Sequence, residues 1–108
     1  MKISIASDHG AFDLKAELIS YLTEKGYEMV DEGCYSLDSC DYPDFAKKAA
    51  VDVAEGKVDK GIVLCTTGIG VSIVANKVKG VRCALCHNEE TAKMTRLHND
   101  SNVIAIGA

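Results

Sequence analysis

The chain contains little proline, no long hydrophobic run and no excess of positive charge. A single proline in 108 residues excludes proline-rich linkers and low-complexity tails. Twelve basic residues face sixteen acidic ones, which gives a formal net charge of −4 and no basic surface for nucleic acid. No segment approaches the length of a membrane span. The apolar start becomes acidic at Asp8, too early for a secretion signal. We therefore expect neither nucleic acid nor membrane as a partner.

What the chain does contain is the composition of one folded domain. It is 47% hydrophobic and 26% charged, which is too apolar for a disordered chain. Its length suits one domain, covering residues 1–108. Five cysteines cannot all pair internally, and without a secretion signal they indicate free thiols in a reducing cytoplasm.

Short β-branched runs alternate with stretches of helical spacing, about one strand–helix unit apart. This alternation, with apolar strands, is typical of a parallel sheet covered by helices on both faces. The sequence therefore predicts a doubly wound, Rossmann-like α/β fold. The predicted strands are residues 3–6, 29–30, 62–64, 81–85 and 103–106, and the predicted helices are residues 12–25, 43–55, 70–79 and 89–98.

In such a fold the binding site is expected beyond the carboxyl ends of the strands. Asp8 and His9 follow the first strand, where an N-cap and turn is the equally weighted alternative. The loop 66–70 follows the third strand, and its glycines could let backbone N–H groups surround an anion at a helix N-terminus. A tight strand-to-helix turn explains the same residues. Cys65 could be a thiolate base or nucleophile at that helix start, or a buried small hydrophobe.

Two further groups of polar residues have simpler alternatives. Cys83 and Cys86 invite a redox or metal interpretation, but residues three apart on a strand point to opposite faces, so we expect core packing. His98 and Asn99 lie at the end of the fourth predicted helix. They could serve only as a C-terminal cap. Together with Asp100, however, they make three hydrogen-bonding residues in a row, which exceeds what a turn requires.

Six ordered motifs identify a family resemblance that spans the chain. The sequence resembles the type B ribose-5-phosphate isomerases and their galactose-6-phosphate isomerase relatives. The motifs are Asp8-His9-Gly10-Ala11-Phe12-Asp13-Leu14-Lys15, Asp41-Tyr42-Pro43, Cys65-Thr66-Thr67-Gly68-Ile69-Gly70 with Ala75-Asn76-Lys77, Gly80-Val81-Arg82, His98-Asn99-Asp100, and Asn102-Val103-Ile104-Ala105-Ile106-Gly107.

The resemblance implies a reversible aldose–ketose isomerisation of ribose 5-phosphate to ribulose 5-phosphate, with no metal or organic cofactor. It implies a five-stranded parallel sheet in a three-layer α/β/α sandwich. It also implies a homodimer or homotetramer with the active sites at the subunit interface.

The resemblance further assigns roles to individual residues. Cys65 would be the base that moves a proton between C2 and C1, and His98, assisted by Thr67, would open the sugar ring. Backbone N–H groups would stabilise the enediolate oxygen. The substrate-binding residues would be Asp8, His9, Thr66, Thr67, Gly68, Ile69, Gly70 and Asn99.

Two departures from the family pattern stand out. Thr66 replaces the glycine that usually follows the cysteine, so a β-branched side chain stands where close backbone approach can be needed. The chain also stops before the arginines with which the family binds phosphate, and Arg82 and Arg96 do not match them. We therefore expect the 108 residues to belong to a longer polypeptide that supplies an arginine and a helix to cover the sheet.

Three alternative functions stay open at this point. The substrate could be a hexose 6-phosphate of the galactose or allose type. The chain could be a non-catalytic phosphosugar-binding module, since a fold does not determine function. It could also be a thiol redox protein, which would need two sulfurs within bonding distance.

Overall fold

The computed structural model describes residues 1–33 and 42–108. Two of the five cysteines, Cys34 and Cys40, and Asp41 of the second family motif lie outside these residues. Among the described residues, five strands form one sheet: β1 (Lys2–Ser7), β2 (Glu28–Asp31), β3 (Lys60–Cys65), β4 (Cys83–Leu85) and β5 (Val103–Gly107). Their order is β2-β1-β3-β5-β4, and every neighbouring pair is parallel. The predicted parallel α/β fold is confirmed.

Helices cover both faces of this sheet. Those in the described ranges are α1 (Phe12–Glu24), α2 (Tyr42–Ala54), α3 (Ile69–Asn76) and α4 (Glu89–Asn99). The helices α2 and α3 pack on one face, and α1 packs on the other. Residues of α4 line a groove with strand residues of that second face, which places α4 beside α1. The result is the expected three-layer α/β/α arrangement.

Alternation along the strands divides the core into two clusters. Successive side chains of a strand point to opposite faces. Val63 and Cys65 of β3 therefore face α2 and α3, whereas Ile62 and Leu64 face α1. Alanines on the buried side of α2 allow that helix to lie close to the sheet. These are Ala46, Ala49 and Ala50.

Two predicted elements are shorter in the structure because of asparagine side chains. The helix expected over residues 70–79 ends at Asn76, whose amide bonds both the N–H and the carbonyl of Cys83. The strand expected from residue 81 starts at Cys83, because the Arg82 N–H is taken by the Asn102 side chain. These side chains thus bond the backbone at the start of the edge strand β4.

A groove of about 380 Å³ crosses the second face of the sheet between α1 and α4. Its walls include Leu22 of α1 and Arg96 of α4, and Ile62 and Ile104 form part of its floor. Because no described helix lies over this groove, Ile104 is only half-buried.

Two carboxyl groups meet where β2 joins the layer of α2. Glu32 directly follows β2, and its side chain shares a hydrogen bond with Asp52 of α2, which is buried. That hydrogen bond and burial raise the pKa of Glu32 above its ordinary value of 4.5, although Lys48 lies 3.8 Å away and opposes the shift. The folded protein therefore favours the protonated carboxyl.

The raised pKa predicts a stability difference that depends on pH. Protonated Glu32 contributes stability below pH 4.5, and this contribution is lost as pH rises through its folded pKa. Glu32→Gln keeps a neutral hydrogen-bonding side chain, so we expect its Tm to exceed the wild-type value by a few degrees at pH 8 and to match it near pH 4. Glu28→Gln, at the exposed start of β2, is the control. A Tm difference that does not change between pH 4 and pH 8 would contradict the raised pKa of Glu32.

Candidate active site

The carboxyl end of β3 carries a sulfur that accepts a backbone hydrogen bond. Cys65 is the last residue of the strand and is 7% exposed, and its Sγ lies 3.0 Å from the Gly68 N–H donor nitrogen. Gly68 adopts a left-handed φ of 81°. A Cβ atom there would lie 2.7 Å from Leu85 Cδ1 and 2.9 Å from the Gly107 nitrogen. Only glycine fits this position, and its conformation directs the N–H at the sulfur.

The helix α3 begins directly after this turn. Thr67 Oγ1 accepts the Ile69 N–H at 3.2 Å, and Gly68 is the N-cap residue. The first N–H groups of a helix lack intrahelical partners and carry the positive end of its dipole. Thr67 and Ile69 are exposed while Cys65 is buried. The loop therefore places the N-terminus of α3 beside a buried thiol, with the Gly68 N–H on the sulfur and the Ile69 N–H on Thr67 Oγ1.

The end of β1 lies next to this loop. Ser7 pairs with Leu64, and the Asp8 N–H donates to the Leu64 carbonyl at 3.1 Å. The Asp8 carboxylate accepts the Ala11 N–H at 3.0 Å and caps a short 3₁₀ turn, His9–Ala11, which the sequence does not predict. The N-cap interpretation of Asp8 is therefore correct, and it leaves His9 exposed at the same edge as Cys65.

Thr66 forms the contact between the two loops. A Cβ atom on Gly10 would lie 2.8 Å from Thr66 Oγ1 and 3.5 Å from the Asp8 carboxylate. Within residues 1–33 and 42–108, Asp100 is the one non-glycine residue with a positive φ. Thr66 therefore has no left-handed backbone conformation, and its Oγ1 lies over Gly10, which has no Cβ.

His98 and Asn99 lie at the amino ends of the strands, whereas Cys65 lies at the carboxyl end of β3. They end α4, which returns from the end of β4 to the start of β5. The Asn99 carbonyl accepts the Arg82 Nε–H at 2.8 Å, and Arg82 directly precedes β4. Val103 pairs with Gly61, four residues before Cys65, which amounts to about 13 Å along the strand. One chain therefore brings Asp8, His9 and the residues 65–70 together but leaves His98 and Asn99 apart from them.

A half-open cavity of about 350 Å³ lies at the amino ends of the strands, and Arg82, Thr95 and Asn99 are among its lining residues. It does not include Cys65. We place the chemistry at the carboxyl ends of the strands because the sulfur, the helix N-terminus and the capped Asp8 meet there.

Exposed apolar side chains lie beside the Cys65 loop and beside His98. Ile69 and Ile73 project from α3 next to the Cys65 loop, and Ile73 is 54% exposed. Met94 and Leu97 project from α4 next to His98, and Leu97 is 67% exposed. Large apolar side chains exposed in groups mark contact surfaces more often than single ones do.

Cys83 and Cys86 do not form a redox pair. Both are free thiols; Cys83 packs against the core cluster of α2 and α3, and Cys86 is buried. Burial raises the pKa of Cys83 to about 12 and also raises the pKa of Cys86. Since the thiolate is the reactive form, these thiols are inert at neutral pH. The predicted core packing is confirmed.

The buried Lys15 is a residue that the sequence analysis does not single out as a site residue. It is 1% exposed in α1 and lies 2.7 Å from the Asp31 carboxylate at the end of β2. A signal was present, because Lys15 falls four residues after the buried Ala11 and three before Leu18, on the apolar stripe of its helix.

Metal-binding clusters and membrane-spanning helices are both absent from the described part of the chain. No three side chains of the His, Cys, Asp and Glu types gather there as a metal-binding group. None of the helices found there has both the length and the apolar character needed to cross a membrane.

Comparison with known proteins gives consistent matches along almost the whole chain. Residues 3–108 match the family described as ribose/galactose isomerase. The chain is 51% identical to the protein YwlF of Bacillus subtilis over 108 residues, 99% of this chain and 72% of that protein. It is 45% identical to ribose-5-phosphate isomerase B of Escherichia coli over 107 residues, again 99% and 72%. The solved structure of Clostridium thermocellum ribose-5-phosphate isomerase B superposes with a TM-score of 0.97 at 51% identity, covering 99% of this chain and 72% of that one.

Proposed function

The chain belongs to the ribose/galactose isomerase family, and from this membership we propose how its strand-end loops carry out the reaction. It is an aldose–ketose isomerase that interconverts ribose 5-phosphate and ribulose 5-phosphate. The observation that supports the mechanism best is the Cys65 sulfur, held by the Gly68 N–H at the start of α3.

In this mechanism Cys65 is the base. Its thiolate removes the proton from C2 of the open-chain aldose. The electron pair of that C–H bond forms the C1–C2 double bond while the C1 carbonyl pair moves onto O1, which gives an enediolate. A proton then passes from O2 to O1, and the same sulfur returns its proton to C1 as the O2 electron pair forms the ketone carbonyl. No net electrons are exchanged with the protein. The Gly68 N–H bond supports this role because charge-assisted hydrogen bonds stabilise an ionised acceptor.

The loop residues Thr67, Gly68, Ile69 and Gly70 stabilise the charge that develops on the enediolate oxygen. Their backbone N–H groups lie at the positive end of α3, whose dipole favours negative charge on that oxygen. Across the loop, Asp8, His9 and Thr66 orient the sugar hydroxyls, which keeps the reacting carbons beside the sulfur.

Ring opening requires an acid and a base near the ring oxygen, and we assign this role to His98 with Thr67 assisting. Imidazole can donate or accept a proton near neutral pH. His98 and its neighbour Asn99, which would bind substrate, end α4 at the far edge of the same chain. We therefore propose that His98 of the partner subunit reaches the Cys65 loop in a homodimer, which could pair further into a homotetramer.

The exposed apolar groups support this dimer. In a two-fold dimer, a contact between α3 of one copy and α4 of the other occurs a second time, with the two copies exchanged. Ile69 and Ile73 beside the Cys65 loop would then contact Met94 and Leu97 of the partner subunit. That contact would bury both apolar groups. It would also place the end of α4 of the partner subunit near the Cys65 sulfur.

We also propose that the protein works in the cytoplasm. The mechanism needs Cys65 as a free thiol, and Cys83 and Cys86 are free thiols as well. A reducing compartment keeps such thiols from pairing.

An assay across sugar phosphates tests the function. The purified protein should isomerise ribose 5-phosphate at a higher kcat/KM than galactose 6-phosphate or allose 6-phosphate, and should keep its activity in EDTA. A preference for a hexose 6-phosphate would reassign the substrate within the family. Loss of activity in EDTA, restored by a divalent metal, would reject the metal-free mechanism.

A further inference from the structure

The most deeply buried charged group of the described chain has no part in the proposed mechanism. Lys15 is 1% exposed, and its ammonium lies 2.7 Å from Asp31 Oδ1 and 5.3 Å from the centre of the Phe12 ring. Lysine is almost never fully buried, because moving its charge out of water is costly. A position this unfavourable calls for a specific reason.

The ion pair continues as a chain of hydrogen bonds to the active-site edge. Asp31 Oδ1, which binds Lys15, also accepts the Gly33 N–H at 2.9 Å. The Gly33 carbonyl accepts the Ser7 N–H at 2.7 Å, and Ser7 directly precedes Asp8. The ammonium is thus connected through the Asp31 carboxylate and the two peptide groups of Gly33 to Ser7, the last residue before the substrate-binding loop.

Packing leaves this connection little freedom. Gly33 has a φ of 113°, and a Cβ atom there would lie 2.2 Å from Cδ1 of Phe45 in α2. The Asp8 N–H is held by the Leu64 carbonyl of β3. A rotation of the Asp31 carboxylate would therefore displace the backbone of Gly33 and, with it, the Ser7 N–H at the end of β1.

Simple attachment of α1 to β2 would not need a charge. A well-packed apolar pair of similar volume often holds two elements together as well as a buried ion pair does, or better. What an apolar pair cannot do is orient the Asp31 carboxylate toward the Gly33 N–H.

We propose that Lys15 is a positioning residue for the substrate site: through Asp31 and Gly33 it holds Asp8 and His9 in the place where they contact the sugar. This inference rests on the proposed function. It adds to that function a residue that is distant from the reacting atoms and sets the affinity for substrate without moving a proton.

The test compares Lys15→Met/Asp31→Leu with wild type and with Lys25→Met. The double variant replaces the ion pair by apolar side chains but removes the acceptor of the Gly33 N–H, so we expect it to fold with a Tm a few degrees below the wild-type value. We expect its KM for ribose 5-phosphate to rise about tenfold while kcat falls less than twofold, since Cys65 is not displaced. Lys25, whose ammonium also lies 5.3 Å from a ring but at the exposed end of α1, should leave both constants unchanged.

The single variant Lys15→Met covers the case in which the double variant does not fold, because the Asp31 side chain is 35% exposed and stays solvated without the ammonium. The KM of this variant should rise in the same direction. A folded variant of either kind with a wild-type KM would overturn the inference, whatever its Tm, because a purely structural pair affects the folded fraction alone. Wild-type protein without isomerase activity would instead overturn the proposed function, and this inference with it.

Discussion

Cys65→Ala should lower kcat for ribose 5-phosphate about a thousandfold while leaving substrate binding nearly intact. The reason is that, in the proposed mechanism, the sulfur acts in the transition state, when it takes the C2 proton, and contributes little to holding the ground-state sugar. The proposed binding contacts come from Asp8, His9 and the loop backbone rather than from the thiol. Steady-state kinetics give kcat, and calorimetric titration with ribose 5-phosphate gives the affinity.

Cys86→Ala is the matched control for this prediction. Cys86 is also 7% exposed and lies directly after β4, but burial raises its pKa and it lies outside the Cys65 loop. The control should therefore keep a wild-type kcat. If Cys65→Ala turned over at a near-normal rate, the base would have to be another residue.

His98→Ala should lower ribose 5-phosphate turnover about a hundredfold by blocking ring opening, yet spare the proton transfer itself. Ribulose 5-phosphate cannot close a five-membered ring, because its O5 carries the phosphate, so it reaches Cys65 as an open chain. In D₂O we expect the His98→Ala variant to exchange the C1 protons of ribulose 5-phosphate at a rate within a few fold of wild type. NMR follows this exchange directly.

The Cys65→Ala variant provides the contrast, because it should lose the C1 exchange together with the turnover. Equal loss of exchange in both variants would show that His98 takes part in proton transfer, and the proposed division of roles between Cys65 and His98 would be wrong.

Much of the fold could be predicted because it follows from short-range patterns. Alternation along β3 places Ile62 and Leu64 on one face and Val63 and Cys65 on the other. Gly26 and Gly56 follow the ends of α1 and α2. The helix and strand boundaries near Asn76 and Cys83 could not be predicted. They depend on an amide that bonds backbone seven residues away, which no periodicity reveals.

The site was predictable in its residue types and less so in its layout. Cys65, Asp8 and His9 follow strands that prove to be neighbours, so the rule for strand ends placed them together. His98 resembles the ring-opening residue of the family, but the helix that carries it runs back to the other edge of the sheet. The motifs in the sequence do not show how far His98 lies from Cys65 in the fold. Lys15 was overlooked because its partner Asp31 lies sixteen residues away on another element.

The claim that the active site forms between two copies is tested most directly by mixing two inactive variants. Cys65→Ala and His98→Ala subunits, denatured together in equal amounts and refolded, should recover about one quarter of wild-type ribose 5-phosphate isomerase activity. Half of the random dimers pair the two variants, and one of the two sites in each such dimer has both residues intact. A mixture no more active than the two variants measured separately would contradict the shared site and require Cys65 and His98 to act within one chain.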